Sequence, residues 1–276
     1  MVIPIVTHNT DRSVTRNEFK DATHLYVSGA WLTIQGEGPY AGHPAVFVRL
    51  AGCNFGDKTN FCQFCDTNFK MENATKITPS ELANLLTTLR GNRKSVILVI
   101  TGGEPTLQPL ILDVLVRLEH VGPSFEIFQF ESNGTNPQFS QQLRQLPEEI
   151  FGKVCFGVSP KANYKTKECM KIPFDVLNMI EMNGFLKFVI DADEDSPHHE
   201  LPDWAFDLMA NSMIPVYVSP MARYLRAPEG EVASVWDATL VDHEATKKNY
   251  EYAAQYVLQH DGLKLSLQTH LFVNLA

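Results

Sequence analysis

Three of the chain's five cysteines, Cys53, Cys62 and Cys65, stand in one loop directly after the apolar run 45–50. Clustered soft thiolates favour zinc or iron–sulfur centres. A structural zinc site takes all four ligands from protein, so three cysteines are one short. A centre held by three protein ligands keeps one metal position for substrate or cofactor. A zinc ribbon also needs a second Cys-x-x-Cys pair. Cys155 lies inside an apolar run and reads as a small core residue, while Cys169 sits in a Lys-rich loop with no spaced partner.

Other chemistry-bearing groups recur at the ends of apolar runs. Residues 96–106, VILVITGGEPT, run from a buried strand into Gly102, Gly103 and Glu104. The two glycines let backbone approach a ligand closely. FEIFQFES ends at Ser132-Asn133-Gly134, VCFGVS at Ser159-Pro160-Lys161, and IPVYVS at Ser219-Pro220-Met221. Ahead of all of them stands Gln35-Gly36-Glu37-Gly38-Pro39, polar and too Gly-rich for regular structure.

The elements that must position these groups alternate in type. Residues 24–34 read as an extended strand, and further strands are expected at 45–50, 95–101, 125–131, 153–159, 185–190 and 214–219. Helices are expected at 78–90, 107–120, 137–146, 173–182, 200–211 and 243–260. Thr78-Pro79-Ser80-Glu81 opens the first helix with an N-cap, a Pro at N1 and a capping-box Glu. Strands separated by helices imply right-handed crossovers and a parallel sheet. Six units fall short of a closed eightfold barrel, so the expected fold is α/β, an open partial (β/α)6 TIM-like barrel. Ligands then sit at the strands' C-terminal ends. Residues 1–22 read as a polar arm and 23–276 as one domain with an apolar, alternating tail.

A net charge of −9 disfavours nucleic acid as the main partner, because phosphate contacts need clustered Lys and Arg. The bunched, odd cysteine count fits a reducing cytoplasm better than a disulfide scaffold. The N-terminus lacks a signal peptide's charged start and apolar core. No apolar run approaches the ~20 residues needed to span a bilayer.

The three cysteines followed by GGEP resemble the radical S-adenosylmethionine (SAM) superfamily. Within it, IQGEGPYAGHPAVFVRLAGCN, CQFCDTNF, TGGEPTLQ and SLQTH, with ESNG and VSPK between, resemble the 7-carboxy-7-deazaguanine synthases over most of residues 24–276. One departure is the spacing: eight residues separate Cys53 from Cys62, where the superfamily's usual motif has three. The expectation is an excursion that still returns Cys62 to the cluster. The resemblance implies a [4Fe–4S] cluster on Cys53, Cys62 and Cys65, whose open iron binds SAM and yields a 5′-deoxyadenosyl radical. It implies conversion of 6-carboxy-5,6,7,8-tetrahydropterin to 7-carboxy-7-deazaguanine with loss of ammonia, a Mg2+ ion, a flavodoxin- or ferredoxin-type reductant and a homodimer.

By the same resemblance, Arg49 grips the substrate carboxylate, a role that suits guanidinium geometry, or forms a structural ion pair at its strand end. Ile34, Gln35 and Gly36 form a substrate-contact segment. Glu37 holds an exocyclic amine or caps a turn. Thr67 is the Mg2+ ligand, or a Thr closing a loop. Phe64, Cys65 and Asp66 border the adenine and ribose of SAM. Thr101 touches substrate, Gly103 runs beside the SAM amine and Glu104 accepts from it. Ser159, Pro160 and Lys161 form one SAM-side loop; Ser219, Pro220, Met221 and Ala222 form a second. Ser132 and Asn133 face SAM or close a strand-end turn. Lys187 points into the barrel or outward to solvent. Gln268, His270 and the terminal carboxylate of Ala276 belong to a tail that closes the pocket.

Two other readings remain at this point. One is a radical SAM enzyme with another substrate, such as a glycyl-radical activase; the lack of further cysteine clusters and the presence of IQGEG speak against it. The other is a zinc-stabilised binding module without catalysis.

Overall fold

The computed structural model describes residues 19, 23–55, 60–62, 64–65, 67, 71, 74–224, 241–269 and 272. Among the described residues nine strands form one sheet in the order β3-β1-β2-β4-β5-β6-β7-β8-β9. β1 (Leu25–Ile34) lies antiparallel to β2 (Pro44–Leu50) and to the short β3 (Thr75–Ile77). From β2 onward every pairing is parallel: β4 (Ile97–Gly102), β5 (Phe128–Ser132), β6 (Val154–Val158), β7 (Gly184–Ile190), β8 (Val216–Pro220) and β9 (Leu263–Leu265). The sheet runs from β3 at one edge to β9 at the other, so the barrel is partial and open, as the alternation of elements implies. The apolar alternating tail accounts for β9.

Helices fill the crossovers: α1 (Pro79–Arg90), α2 (Ile111–His120), α3 (Pro137–Leu143), α4 (Glu148–Phe151), α5 (Phe174–Asn183), α6 (Asp203–Asn211) and α7 (His243–Gln259). The α1 capping box forms as read: Thr78 Oγ1 accepts from Glu81 N at 3.3 Å, and Glu81 Oε2 accepts from Thr78 N at 2.9 Å. Such a cap is worth about 1 kcal/mol. Where helices differ from expectation, proline and side-chain clamps explain it. α2 starts at Ile111, not 107, because a short 3-10 turn (Pro105–Leu107) intervenes. The next residue, Gln108, is held across the chain by Tyr26 and by the Ala51 carbonyl. The expected 137–146 helix ends at Leu143, and Pro147 caps a separate α4. Pro202 likewise moves the start of α6 to Asp203.

Side chains of a strand alternate between faces, and here both faces are covered. One row (Val46, Val48, Leu98, Ile100, Phe128, Phe130, Phe156, Leu186, Val218) packs beneath the helices in a single core with Leu82, Leu86 and Leu115. The other row faces the barrel interior. Its lower rung pairs Phe47 with Val99, Val99 with Gln129 and Gln129 with Cys155. Cys155 is buried, as its place in an apolar run implies. One step toward the C-terminal ends, Arg49 pairs with Thr101, Glu131 with Gly157, and Gly157 with Phe185. The lower rung is mostly apolar and floors the barrel. The upper rung is polar and opens upward.

Of the residues read as an N-terminal arm, the structure describes Phe19 alone. It is buried with Leu107, against Tyr26 and Met71. Among the described residues no helix is long and apolar enough to cross a membrane.

Candidate functional site

A cavity opens at the C-terminal ends of the parallel strands, where the fold places ligands. Phe47 and Arg49 of β2, Thr101 and Gly102 of β4, and Glu131 and Ser132 of β5 line it. Gly157 of β6, Phe185, Lys187 and Val189 of β7, and Ser219 and Pro220 of β8 continue the wall. The loops add Gln35, Glu37, Phe55, Cys62, Phe64, Cys65, Thr67, Gly103, Asn133, Ser159, Lys161, Met221, Ala222, Tyr224 and Gln268. Residues scattered through the sequence therefore meet in one space. Ile34, Gly36, Glu104, Pro160 and the buried Cys53 are not part of this lining. Asp66, His270 and Ala276 lie outside the described residues.

Cys62 and Cys65 both line the cavity. Phe55 and Phe61 stack with ring centroids 4.5 Å apart, closing the excursion at its base. Phe61 then bridges to Asn163, and Tyr164 N donates to Asn60 O at 2.8 Å, so the loop after β6 holds the returning strand. Asn60 and Cys62 take positive φ, 57° and 53°, a region L residues seldom occupy. Cys65 N donates to Cys62 O at 2.9 Å. This tight turn presents Cys62 and Cys65 to the cavity together.

The donor set suits an iron–sulfur cluster. Burial, and then the charge of Glu104, pushes the Cys53 thiol up, and Cys65 and Cys62 add to the effect. Burial likewise raises Cys62, partly offset by Lys161. Buried thiols of this kind stay protonated unless a metal supplies positive charge, which is how thiolate ligands are made. Among the described residues no three of His, Cys, Asp and Glu converge tightly enough for a single ion.

The GGEP turn is packed against the end of β2. Gly103 N donates to Leu50 O at 3.1 Å and Glu104 N to Gly52 O at 2.9 Å. Gly102 has φ +156°, and a Cβ there would stand 2.1 Å from the Leu50 oxygen. Gly102→Ala is expected to cost about 3 kcal/mol or more, from strain and backbone clash together. Thermal melting of the purified variant measures it; a melting temperature equal to that of the parent would remove this role.

Glu104 is fully buried and turned into the protein rather than the cavity. Its Oε1 accepts from Thr106 N (3.1 Å), Thr106 Oγ1 (2.6 Å) and Ser132 Oγ (2.8 Å), and its Oε2 from Asn133 N (2.7 Å). Burial pushes this carboxyl up, while the hydrogen bonds from Asn133, Thr106 and Ser132 pull it back. Glu104 thus ties the GGEP turn to Ser132-Asn133. Asn133 in turn donates to Asn54 Oδ1 at 2.8 Å, next to Cys53.

At the cavity's lower end the groups are interlocked. Gln35 is buried; its Nε2 donates to Glu131 Oε1 at 3.1 Å, and its Oε1 accepts from Glu37 N at 3.1 Å. Glu37 forms an ion pair with Lys187 and accepts from Ser219 Oγ at 3.3 Å. Lys187 therefore points into the barrel. Arg49 lies over the Trp31 ring, 5.3 Å from its centroid. The tail reaches back: Thr269 N and Oγ1 both donate to Gly36 O at 3.2 Å, which sets Gln268 at the mouth.

Phe64 is backed by protein. Lys161 Nζ lies 5.8 Å from its ring centroid, and His198 meets it edge-on at 4.9 Å. Lys161 also donates to Ser159 Oγ at 2.9 Å. Burial first, and the Lys161 charge second, hold His198 down to about 4, so it folds as neutral imidazole. An unfolded His titrates near 6.5 and takes up the proton earlier as pH falls. Stability is therefore constant above about 6.5 and falls between about 6.5 and 4, by about 3 kcal/mol in all. Denaturant midpoints at pH 7 and 4.5 should converge more in His198→Phe than in the parent. An equal acid loss in both would contradict this.

Sequence reasoning passed over Glu131, Phe185, Gly157 and Tyr224 as site residues. The signal for the first three was the strand register, in which alternate residues of neighbouring strands share the inner face. Tyr224 comes from a loop whose path no pattern encodes.

The model of the Radical SAM superfamily matches residues 48–161, from the middle of β2 to the loop after β6. The chain is 33% identical to the 7-carboxy-7-deazaguanine synthase of Rickettsia prowazekii (strain Madrid E) over 274 residues, 97% of this chain and 94% of that protein. Against the 7-carboxy-7-deazaguanine synthase of Rhodospirillum rubrum it is 35% identical over 187 residues, 66% of this chain and 65% of the other. The crystal structure of QueE from Escherichia coli shares the fold with a TM-score of 0.53 at 21% identity, over 93% of this chain and 99% of that one.

Proposed function

The chain belongs to the 7-carboxy-7-deazaguanine synthases of the radical SAM superfamily, and from that premise we propose how its cavity converts 6-carboxy-5,6,7,8-tetrahydropterin to 7-carboxy-7-deazaguanine with release of ammonia. One observation carries the reading: Arg49, a guanidinium suited to a carboxylate, opens onto the same cavity as Cys62 and Cys65. A [4Fe–4S] cluster on Cys53, Cys62 and Cys65, with SAM bound, supplies the radical that removes a substrate hydrogen. The chain's own residues bind, orient and exclude water.

On the SAM side, Phe64, Cys65, Asp66, Gly103, Ser132, Ser159, Pro160, Lys161 and the segment Ser219-Pro220-Met221-Ala222 hold the cofactor. Glu104 acts as the positioning residue that fixes the GGEP turn and Ser132-Asn133 around it. On the substrate side, Arg49 orients the carboxylate through two parallel N–H donors. Gln35 and Glu131, already hydrogen-bonded to each other, present a donor and an acceptor to the amide-like edge of a pterin. Thr101 and the Ile34-Gln35-Gly36 backbone complete that face. Lys187 Nζ, paired with Glu37 at the cavity wall, is a proton donor within the barrel for the departing ammonia. Gln268, at the mouth, is a substrate contact in this reading, and His270 and Ala276 are assigned to the same side.

Thr67 supplies one hard oxygen to Mg2+. Mg2+ held there would share hard-oxygen ligands with the substrate, and Thr67 would be the protein's contribution. Residues 23–276 act as one domain, the chain works in the cytoplasm as a homodimer, and a flavodoxin- or ferredoxin-type protein reduces the cluster. The binding test is calorimetric titration of the reconstituted protein with the inert analogue 6-carboxypterin, with and without Mg2+. Saturable binding strengthened by Mg2+ supports the reading; no binding with SAM present opposes it.

A further inference from the structure

Phe185 is the inward residue of β7 on the rung that carries Arg49, and it is 3% exposed. Two glycines make its seat. A Cβ on Gly157, its neighbour on β6, would stand 2.5 Å from Phe185 Cζ, and a Cβ on Gly38 would stand 3.0 Å from the same atom. Gly38 has a backbone reason to be glycine, since its φ is +68°. Gly157 has no positive φ and lies inside a strand, where glycine weakens the sheet. What its missing side chain provides is room for a ring. Behind that ring Tyr217 packs edge-on at 5.5 Å, and Lys264 covers Tyr217 at 5.6 Å. Phe185 therefore has no space to retreat into.

Resting on the pterin reading above, we propose that Phe185, seated by Gly157, is the specificity-determining wall of the substrate cavity. It ends the rung that Arg49 begins, so a carboxylate held at Arg49 leaves a fixed length for the ring system. A flat bicyclic pterin fits this length, and a substituent on its amino edge meets the Phe185 ring. Gly157 is the positioning residue: any side chain there drives the ring into the cavity.

The test measures binding of 6-carboxypterin and of its N2-alkyl derivative to the reconstituted protein with SAM. Gly157→Ala should weaken 6-carboxypterin at least about tenfold. Adding Phe185→Leu to it should restore most of that loss, because the smaller side chain vacates the clash. Phe185→Ala alone should weaken the parent analogue and gain the N2-alkyl one. SAM affinity and cluster absorbance should stay within about twofold throughout, since the wall lies on the substrate side. Equal binding by parent and Phe185→Ala, or no recovery in the double variant, overturns the proposal. If Gly157→Ala does not fold, Phe185→Ala and Phe185→Leu decide it by the exchange of analogue preference. Failure of the unmodified protein to bind 6-carboxypterin would instead overturn the pterin reading.

Discussion

Replacing Cys53, Cys62 or Cys65 by alanine, one at a time, is expected to abolish SAM cleavage and deplete iron and sulfide. The cause differs by position. Cys53 is buried at the cavity wall, Cys62 sits in a positive-φ turn, and Cys65 is exposed at the cavity edge. Each is proposed as one of three cluster ligands, and removing one would leave a second iron without a protein ligand. Cys155 and Cys169 provide the control. Cys155 is buried in β6, and Cys169 bridges to Ala162 away from the cavity lining. Their serine or alanine variants should keep iron content and visible absorbance. Iron and sulfide analysis with circular dichroism separates cluster loss from unfolding. Full iron occupancy without Cys53 would mean that the excursion between Cys53 and Cys62 removes Cys53 from the ligand set.

Arg49→Lys is the second large effect. It keeps the charge but replaces a planar fork by a point charge, so one of two parallel hydrogen bonds is lost together with the orientation. Hydrogen bonds to charged groups are worth about 1.5–3 kcal/mol, so kcat/KM should fall about 10- to 150-fold. Arg49→Met removes charge as well and should cost more, about 10³-fold. Trp31, stacked on Phe47 with centroids 5.4 Å apart, fixes the guanidinium plane from one side. SAM affinity should be unchanged in both variants if Arg49 serves the substrate, as proposed. A kcat/KM for Arg49→Lys within threefold of the parent would show that a single positive charge is enough there.

Much of this architecture was legible because local chemistry and tertiary structure agree. Apolar runs at β2, β4 and β8 are bounded by Gly, Pro and Ser, and their ends fall at the cavity. The α1 cap was visible in four residues. The capping geometry needs no distant partner, so the sequence could report it. Boundaries failed where distant groups intervened: α2 starts late because Tyr26 and Ala51 hold Gln108. Roles were harder to read than positions. Glu104 looks like a ligand group from its motif, yet four protein donors claim its carboxylate. Lys187 was ambiguous because a Lys in a strand can point either way; its pairing with Glu37 decides the matter. The Gly157–Phe185 fit was invisible because it depends on register between two strands, which nothing local specifies.

In the proposed reaction the Arg49 rung and the cysteine loop work together in one cavity. Anaerobic turnover tests it most directly. The reconstituted protein is given dithionite, SAM, Mg2+ and 6-carboxy-5,6,7,8-tetrahydropterin, and the products are analysed by mass. The account predicts 7-carboxy-7-deazaguanine with an equivalent of ammonia, and far less of both from Arg49→Lys. Formation of 5′-deoxyadenosine without any deazaguanine would contradict it, leaving a working radical source whose cavity takes a different substrate.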